Sequence, residues 1–504
     1  MLLHRNLMRH NDYDFKEFIL SINNNLRRKQ FGVICFVEIW ERYAFYSFQT
    51  LFMLFFTTQA VNEAQGYLIF GIFSGLLWVF PTLGGMLADK VIGIKRSLKI
   101  GGLLLAIGYL LLGFSENTHY LMLALAFIIV GNGIFKPAPS ALVSLIFSDD
   151  STQSKSTFSI YYMAVNIGAT LGSLIGPYIA LYYNFRVAFI IAFFGMAMSL
   201  MNLILRLKIL SSVNGTKDKA NLGLSNWMVL VLFCVSGISI SYILLNLEDI
   251  TPYIIVAVWL LGIIYLVRNT FMLNDTRAKI KQFIGIVLFI EAVPFFVVYN
   301  QMFSTITMFA KHNVKLFVFG LPISAGSFSA FDSIWIMILG PLLAYIYIFL
   351  KRKKIKFDLL SKYILGTIMA GCAFLSLAFI SKYLNHNAMV SANWLIVYFF
   401  FGALAELLIA AMGFAIAGLY FSKEIVSIAM GIFMLSIAQG GNLTGLLAQY
   451  VVIPENISNK ILSLNIFVHY FLILGLVCVS MGVLYIIIAR IMRFIAFKNS
   501  VELD

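Results

Sequence analysis

The chain has 504 residues, of which 61% are hydrophobic and only 12% are charged, and its mean hydropathy is +0.92. A soluble domain of this length needs far more charge on its surface, so this composition excludes a soluble globular protein. The formal net charge of +14 does not indicate a nucleic-acid partner, because the Lys and Arg residues lie in short linkers between apolar runs.

Fourteen apolar runs are predicted to cross the membrane as α-helices, because each can span roughly 30 Å of hydrocarbon. They cover residues 31–58, 66–88, 97–114, 118–147, 156–183, 186–207, 226–246, 252–272, 282–310, 326–350, 358–382, 391–421, 424–452 and 463–494. The order is six spans, a hairpin of two and six more. Such an order is typical of a transporter built from two pseudo-symmetric bundles.

These spans divide the chain into five parts. They are a cytoplasmic N-terminal arm (1–30), a six-helix bundle (31–207), a linker with an inserted transmembrane hairpin (208–281), a second six-helix bundle (282–494) and a cytoplasmic tail (495–504). Of the 36 Lys and Arg residues, 29 fall on one predicted side of the membrane and five on the other. The positive-inside rule therefore predicts a multi-pass protein of the cell inner (plasma) membrane with both termini in the cytoplasm.

Charged residues inside membrane spans usually serve a function. In the first span, Glu38, Glu41 and Arg42 fall within an arc of about 100° on one helix face. Lys136, in the fourth span, is predicted at the same depth, since Glu41 and Lys136 lie about 15 and 16 Å from the inner ends of their spans. Protonation of one acid in such a cluster would release a cation for a substrate carboxylate. The alternative is a structural ion pair between Glu38 and Arg42.

Other polar residues lie within later predicted spans, near the middle or towards the outer side of the membrane. Glu406 is near the middle of the twelfth span, where a structural hydrogen bond is its alternative role, and Asn166 is near the middle of the fifth. Asn300 and Asp332 lie towards the outer side of spans nine and ten. The six His residues show no metal-ligand spacing, and catalytic motifs are absent from the sequence. We therefore expect no enzyme, no metal and no cofactor other than a coupling proton.

Two motifs resemble the signatures of the proton-dependent oligopeptide transporters. Residues 38–46 (EIWERYAFY) are similar to E-x-x-E-R-F-x-Y-Y, and residues 161–168 (YYMAVNIG) to F-Y-x-x-I-N-x-G. Residues 85–96 (GMLADKVIGIKR) match the inner-loop motif of the wider major facilitator superfamily. Segments resembling the bacterial di- and tripeptide permease branch are 298–302 (VYNQM), 334–338 (IWIMI), 393–395 (NWL) and 406–409 (ELLI).

The resemblance implies an all-α membrane protein with the major facilitator superfamily fold of two six-helix bundles and an inserted two-helix hairpin. It implies a symporter that imports di- and tripeptides with protons by alternating access. In that family pattern Glu38, Glu41 and Arg42 couple protons to transport, and Lys136 is their switching partner.

The resemblance also implies how a peptide is held. Lys136 would bind the C-terminal carboxylate of the peptide and Glu406 its N-terminal ammonium group. Asn166 would bind the peptide backbone, while Tyr46 and Trp78 would line the cavity. Opposite charges at the two ends of the site would orient a zwitterion.

Several residues depart from the family pattern. Phe45 replaces a tyrosine, and Ser47 a glycine, of the first motif. Gln49 and Asn300 are neutral where many members carry an arginine and a glutamate, and both remain candidate substrate-binding residues. Asp332 stands where the permease branch commonly has asparagine. Our hypothesis is that Asp332 adds a second carboxylate near the peptide ammonium group or favours cationic substrates.

Two other functions remain open at this point. The first is proton-coupled transport of another small solute, such as an amino acid or a peptide-like compound, on the same fold. The second is a non-transporting membrane sensor, which would need a soluble signalling domain that no linker is long enough to contain. The expected partners are small peptides, protons and membrane lipids, and the expected oligomeric state is a monomer.

Overall fold

The computed structural model of the protein describes residues 2–58, 62–148, 151–453 and 459–503. Helices dominate the described chain. They are α1 (Leu2–Gln49), α2 (Phe52–Phe56), α3 (Glu63–Leu87), α4 (Ile94–Gly113), α5 (Thr118–Phe135), α6 (Pro137–Ile146), α7 (Ser151–Tyr182), α8 (Phe185–Leu205), α9 (Leu224–Asn246), α10 (Thr251–Met272), α11 (Thr276–Asn300), α12 (Thr305–Asn313), α13 (Ala330–Arg352), α14 (Leu359–Tyr383), α15 (Leu395–Ile409), α16 (Gly413–Tyr420), α17 (Val426–Ala448) and α18 (Lys460–Lys498).

Four two-residue strands lie in the connections around α13 and α15. They are β1 (Val314–Lys315), β2 (Phe317–Val318), β3 (Leu321–Pro322) and β4 (Val390–Ser391). Strands β1 and β4 pair in parallel, with Val314 opposite Val390, and β2 and β3 form an antiparallel hairpin. These pairs fix the connections between helices and contribute little to the core.

The long helices form two bundles with a hairpin packed against both. In the first bundle α1 packs on α7 and α8, α4 packs on α5 and α8, and α3 packs on α5. In the second, α14 packs on α18 and α15, α11 on α17, and α13 on α15. Helix α9 of the hairpin contacts α5, while α10 contacts α17 and α11. The predicted order of six helices, hairpin and six helices is thus present.

By length and apolar composition, 13 helical segments of the described chain can cross a membrane. The remaining predicted span lies in α1, which carries Glu38, Glu41 and Arg42 and packs along α7 and α8. The helix containing this span starts at Leu2, so residues 2–30, predicted as a cytoplasmic arm, continue it without a break.

Four predicted spans are each divided into two helices. The first divides between α1 and α2, the ninth between α11 and α12, and the twelfth between α15 and α16. In the fourth, α5 ends at Phe135 and α6 begins at Pro137, with Lys136 between them. Because proline has no backbone N–H group and clashes with the preceding turn, Pro137 accounts for this break. The break places the Lys136 side chain at an interrupted part of the helix.

Polar side chains cap the starts of several helices. Asn62 accepts a hydrogen bond from the backbone N–H group of Gln65 at 2.7 Å, and Asn117 and Asn184 cap α5 and α8 in the same way. Each cap satisfies a backbone donor that has no partner within its helix. The polar residues between the apolar runs therefore determine where these helices begin.

Glycines let α1 and α7 approach closely. A Cβ atom on Gly168 would lie 2.4 Å from the carbonyl oxygen of Ile39, and one on Gly172 would lie 2.4 Å from that of Tyr43. A larger residue at either position would force the two backbones apart. The close approach brings the second motif on α7 next to the first motif on α1.

The two bundles meet at their predicted outer ends. Helices α3 and α17 cross so closely that a Cβ atom on Gly71 would lie 2.9 Å from the Cα atom of Gly445. Lys311, on α12, donates a hydrogen bond to the hydroxyl group of Thr57 at the end of α2, at 3.1 Å. At the predicted outer ends, the bundles are thus joined both by close helix packing and by a hydrogen bond.

The polar linker before the hairpin folds back on the start of α4. The Asp218 carboxylate accepts hydrogen bonds from the backbone N–H groups of Lys95 and Gly215, at 3.0 and 2.8 Å. Arg96 donates to the carbonyl group of Ala220 at 2.7 Å. The linker is therefore an ordered part of the first bundle, on its predicted inner side.

Candidate functional site

A cluster of charged residues lies on the buried face of α1. The Arg42 guanidinium donates two hydrogen bonds to the Glu41 carboxylate, at 2.5 and 2.8 Å, and its Nε atom is 3.4 Å from Glu38 Oε1. All three residues are buried. Their spacing of three and four residues places them on one helix face, as the sequence predicts. Bidentate pairing holds the arginine in a fixed orientation.

The Glu38 carboxyl group has an oxygen that can still accept a hydrogen bond or a proton. Its Oε2 atom is buried and accepts no hydrogen bond from the residues that the structure describes. The hydroxyl group of Tyr161, on α7, adjoins this carboxyl group. One oxygen of the cluster can therefore take up a proton without breaking an existing hydrogen bond.

Lys136 lies within electrostatic range of Glu38, Glu41 and Arg42 but pairs directly with none of them. Its Nζ atom is 3.3 Å from the centroid of the Trp78 ring, a cation–π contact. Within the described ranges, no carboxylate oxygen lies within 4 Å of Lys136 Nζ. The predicted switching partner is thus near the acids, and in this conformation Trp78 holds it.

A second polar cluster lies in the other bundle, where Asp332 on α13 adjoins Glu406 on α15. Asp332 is buried, and one oxygen of each carboxyl group accepts no hydrogen bond from the described residues. In the part of the chain that the structure covers, no Lys, Arg or His nitrogen lies within 4 Å of either group. Two adjacent carboxylates repel one another, so this pair favours a proton or a substrate cation between them.

Tyrosine hydroxyl groups surround the acid pair and connect the bundles. Tyr162, on α7, donates a hydrogen bond to Glu406 Oε1 at 3.3 Å, and the hydroxyl group of Tyr299 adjoins the same carboxyl group. Tyr46 lies within electrostatic range of both Arg42 and Glu406, and therefore between the two clusters. Tyr162 and Tyr299 were not among the residues predicted from the sequence to form the site. Both lie in segments that resemble the family, 161–168 and 298–302, and this position in the motifs was the signal in the sequence that could have identified them.

The remaining predicted residues lie on helices that also carry members of the two clusters or the tyrosines beside them. The side-chain amide groups of Asn166 and Asn300 each donate to a backbone carbonyl group one turn earlier, at 2.8 Å. Gln49 is the last residue of α1 and is buried. The Arg42 guanidinium lies 5.1 Å over the ring of Phe45, which replaces the tyrosine of the family motif. Each of these assignments to substrate binding stays a prediction.

The arrangement therefore has two ends. Lys136 and Arg42 supply cations on the side of the first bundle, and Asp332 and Glu406 supply carboxyl groups on the side of the second. Such a pair of ends can orient a small zwitterion. Among the described residues, no group of three or more His, Cys, Asp or Glu side chains is placed to hold a metal ion.

Comparison with known proteins identifies the family. The sequence profile of the POT family matches residues 95–464. This chain belongs to the POT family. It is therefore a membrane transporter and not an enzyme, as the motifs predicted.

Curated relatives and solved structures support this membership over nearly the whole chain. The dipeptide and tripeptide permease A of Chromobacterium violaceum is 32% identical over 473 residues, which cover 93% of this chain and 94% of the permease. The permease A of Yersinia pestis is 30% identical, with the same coverage of both chains.

Among solved structures, a bacterial homologue of the human drug peptide transporters PepT1 and PepT2 superposes with a TM-score of 0.82 at 26% identity, covering 93% of this chain and 99% of the homologue. Tetrameric PepTSo2 gives a TM-score of 0.83 at 25% identity, with the same coverage. The predicted fold of a POT transporter is thus confirmed.

Proposed function

We propose that this POT transporter is a proton-coupled symporter that imports di- and tripeptides by alternating access. The observation that carries the proposal is an acid pair on one bundle together with a lysine on the other that has no carboxylate partner within 4 Å among the described residues. The names of the curated relatives, dipeptide and tripeptide permease A, support peptides as the substrate class.

A short peptide at neutral pH is a zwitterion that matches the two ends of the site. Its carboxylate would replace the Trp78 ring as the partner of Lys136, and its ammonium group would lie between Asp332 and Glu406. Because Asp332 is buried and Lys136 and Glu406 are partly buried, the peptide termini would complete their pairing at a small reorganisation cost. Side chains of the peptide would contribute less than its two termini, which suits a permease of broad specificity.

Proton coupling would act through the cluster on α1. Arg42 is held by Glu41 and Glu38, so a proton on either acid weakens the hold on the guanidinium and adds one positive charge beside Lys136. The added charge favours the entry of a peptide carboxylate. Release of the proton restores the ion pairs and favours release of the carboxylate.

Alternating access would use the contacts between bundles near the acid pair. The hydrogen bond from Tyr162 to Glu406 joins α7 of the first bundle to α15 of the second. A peptide ammonium group that pairs with Glu406 competes with this hydrogen bond. Substrate binding would thereby change the strength of a contact between the two moving parts.

We further propose that the protein lies in the cell inner membrane with both termini in the cytoplasm. The strong asymmetry of Lys and Arg between the two sides supports this orientation. Both ends of the site come from one chain, so a monomer would be a complete transport unit. Protons would be the coupling ion, with no further cofactor.

Uptake of labelled dialanine into proteoliposomes tests the proposal. Vesicles would contain wild-type protein or Lys136→Gln, each with and without an inward proton gradient. We expect accumulation that needs the gradient, and an increase of about tenfold or more in the apparent KM for Lys136→Gln, because the variant lacks the charge that binds the peptide carboxylate.

Lys382→Gln provides the matched control, because Lys382 lies at the end of α14 beside Tyr383, away from the site. Uptake by this variant should equal that of the wild type. Correctly folded wild-type protein that takes up no peptide from a diverse panel would contradict peptide transport and would favour another small solute.

A further inference from the structure

A cleft of about 470 Å³ opens on the outside of the helical assembly, between the inserted hairpin and the second bundle. Its walls come from three helices, α10, α11 and α18. The side chains that face it are almost entirely apolar, and they include Val267, Phe271, Phe283, Ile488 and Met492. Phe271 and Phe283 are more than half exposed in the protein alone, so they face lipid when the protein is in a membrane.

The cleft lies at the basic side of the protein. Helix α10 ends at Met272, α11 begins at Thr276 and α18 ends at Lys498, so all three contribute the ends that the distribution of Lys and Arg places in the cytoplasm. The cleft thus reaches the depth at which the headgroups of one leaflet meet the acyl chains.

One cation lines this otherwise apolar cleft. Lys279 forms part of the lining, and in the described ranges no carboxylate oxygen lies within 4 Å of its Nζ atom. Arg268, Arg277 and Lys281 lie on the adjoining turns of α10 and α11. The acid of this stretch, Asp275, is engaged with the backbone N–H groups at the start of α11, at 3.0 and 3.3 Å. The rim therefore has an excess of positive charge.

A second membrane-facing cleft shows that this charge is not a general property of such grooves. It measures about 610 Å³ and lies between the other ends of α17 and α18. Its described lining contains His469 and Asn465 among apolar residues, but neither Lys nor Arg. This second cleft thus lacks the unpaired lysine that lines the cleft at α10, α11 and α18.

We propose that this cleft is a binding site for an anionic phospholipid. An acyl chain of the lipid lies along the apolar walls, and its anionic headgroup pairs with Lys279, supported by the neighbouring basic residues. A long lysine side chain suits this position, because its stem packs on apolar surface while its ammonium group reaches the headgroups. The site does not overlap the two clusters that bind peptide and protons.

Such a lipid would join the hairpin to the second bundle. At this end of the hairpin, the Thr270 hydroxyl group donates a hydrogen bond to Gln282 Oε1 at 3.1 Å, which links α10 to α11. A phospholipid in the cleft contacts both helices and α18 at once. A ligand that binds only the folded protein stabilises it, and the stabilisation grows with the logarithm of the ligand concentration above Kd, so the lipid also raises the melting temperature.

Native mass spectrometry of the full chain in detergent tests the proposal. The protein is titrated with phosphatidylglycerol and, separately, with phosphatidylcholine that carries the same acyl chains. Wild-type protein should bind the first molecule of phosphatidylglycerol about fivefold more tightly than the first molecule of phosphatidylcholine. This ratio corresponds to roughly 1 kcal/mol for one lysine near an anionic headgroup. Lys279→Gln should lose most of this preference.

Lys356→Gln is the matched control, because Lys356 is an exposed basic residue on the same side of the membrane that does not line the cleft. It should keep the wild-type preference. Ile488→Trp, which fills the cleft, should weaken binding of both lipids, and melting curves verify that each variant is folded. Equal binding of the two lipids by the wild type, or the same loss in Lys356→Gln as in Lys279→Gln, would overturn the proposal.

Discussion

At the scale of single residues, the site is built from charges whose partners are incomplete. Lys136 rests on an indole ring, one oxygen of Glu38 lacks a hydrogen bond from the described residues, and Asp332 and Glu406 adjoin each other with no cation within 4 Å among the described residues. In a membrane interior, groups left in this condition destabilise the protein unless a ligand or a proton completes them. A proton or a bound substrate would supply the missing partners.

Asp332 provides the first prediction. Because Asp332 adjoins Glu406, Asp332→Asn removes one negative charge from the end that we assign to the peptide ammonium group. Uptake of lysyl-alanine should fall about fivefold relative to uptake of dialanine, an effect of roughly 1 kcal/mol. Competition of the two peptides for uptake at several pH values measures the change. If neither the selectivity nor the pH dependence changes, Asp332 has no part in substrate selection.

Tyr162 provides the second prediction. Tyr162→Phe keeps the ring but removes the hydrogen bond to Glu406, which is worth about 1 kcal/mol and corresponds to a change of about fivefold in the transport rate or in the apparent KM. Steady-state uptake of dialanine gives both constants. Tyr178→Phe is the control on the same helix, since Tyr178 is exposed and its ring contacts only that of Tyr182 among the ring pairs of the described residues. Equal kinetics of the two variants would show that the Tyr162 hydroxyl group is dispensable.

At the scale of helices, local sequence explains where elements begin and end, and glycines explain which ones approach closely. Pro137 divides the fourth span beside Lys136, and Gly168 and Gly172 allow α7 to lie against α1. Asp358 combines two roles, because it caps α14 through the Ser361 N–H group and pairs with Arg493 on α18 at 2.7 and 2.8 Å. The ends of α14 and α18 are thereby joined outside the apolar part of the bundle.

The pairing of Asp358 makes stability depend on pH. Burial tends to raise the pKa of Asp358, but hydrogen bonds from Arg493 and Ser361 outweigh it and lower the pKa below its usual value. The pair therefore stabilises the protein above pH about 4, the pKa of an unfolded aspartate, and this contribution is lost as the pH falls through the lower folded value.

Thermal unfolding of Asp358→Asn in detergent should show this effect. At pH 7 the variant should be about 1 kcal/mol less stable than the wild type, since the amide still caps α14 but no longer carries the charge that pairs with Arg493. The difference should shrink below pH 4. A difference that stays constant from pH 7 to pH 3 would show that charge pairing does not account for it.

Part of this site could be predicted from the sequence. The cluster of Glu38, Glu41 and Arg42 follows from helical spacing, and the depth of Lys136 follows from counting residues, because both depend only on regular helix geometry. The contact of Lys136 with Trp78 depends on how α3 packs against α5 and α6, and the spacing of residues along one helix does not predict that packing. The same holds for the hydrogen bond from Tyr162 to Glu406, which joins residues from different bundles.

At the scale of the whole molecule, two bundles carry the two polar clusters, and an inserted hairpin and a folded linker pack against these bundles. The bundles touch through α3 and α17 and through α7 and α13, and the acid pair and the cation cluster belong to different bundles. A substrate that pairs with both clusters therefore contacts both bundles. Its binding free energy is available to change their relative positions, which is the requirement for coupled alternating access.

Coupling of peptide flux to proton flux is the central claim, and one measurement tests it most directly. Proteoliposomes that contain a pH-sensitive dye and no imposed gradient would receive external dialanine. We predict acidification of the interior with the wild type, because each entering peptide brings protons with it, and none with protein-free vesicles. Glu41→Gln should lose the acidification, since it removes a carboxylate that holds Arg42. Uptake of labelled dialanine by the wild type without any acidification would contradict proton-coupled transport.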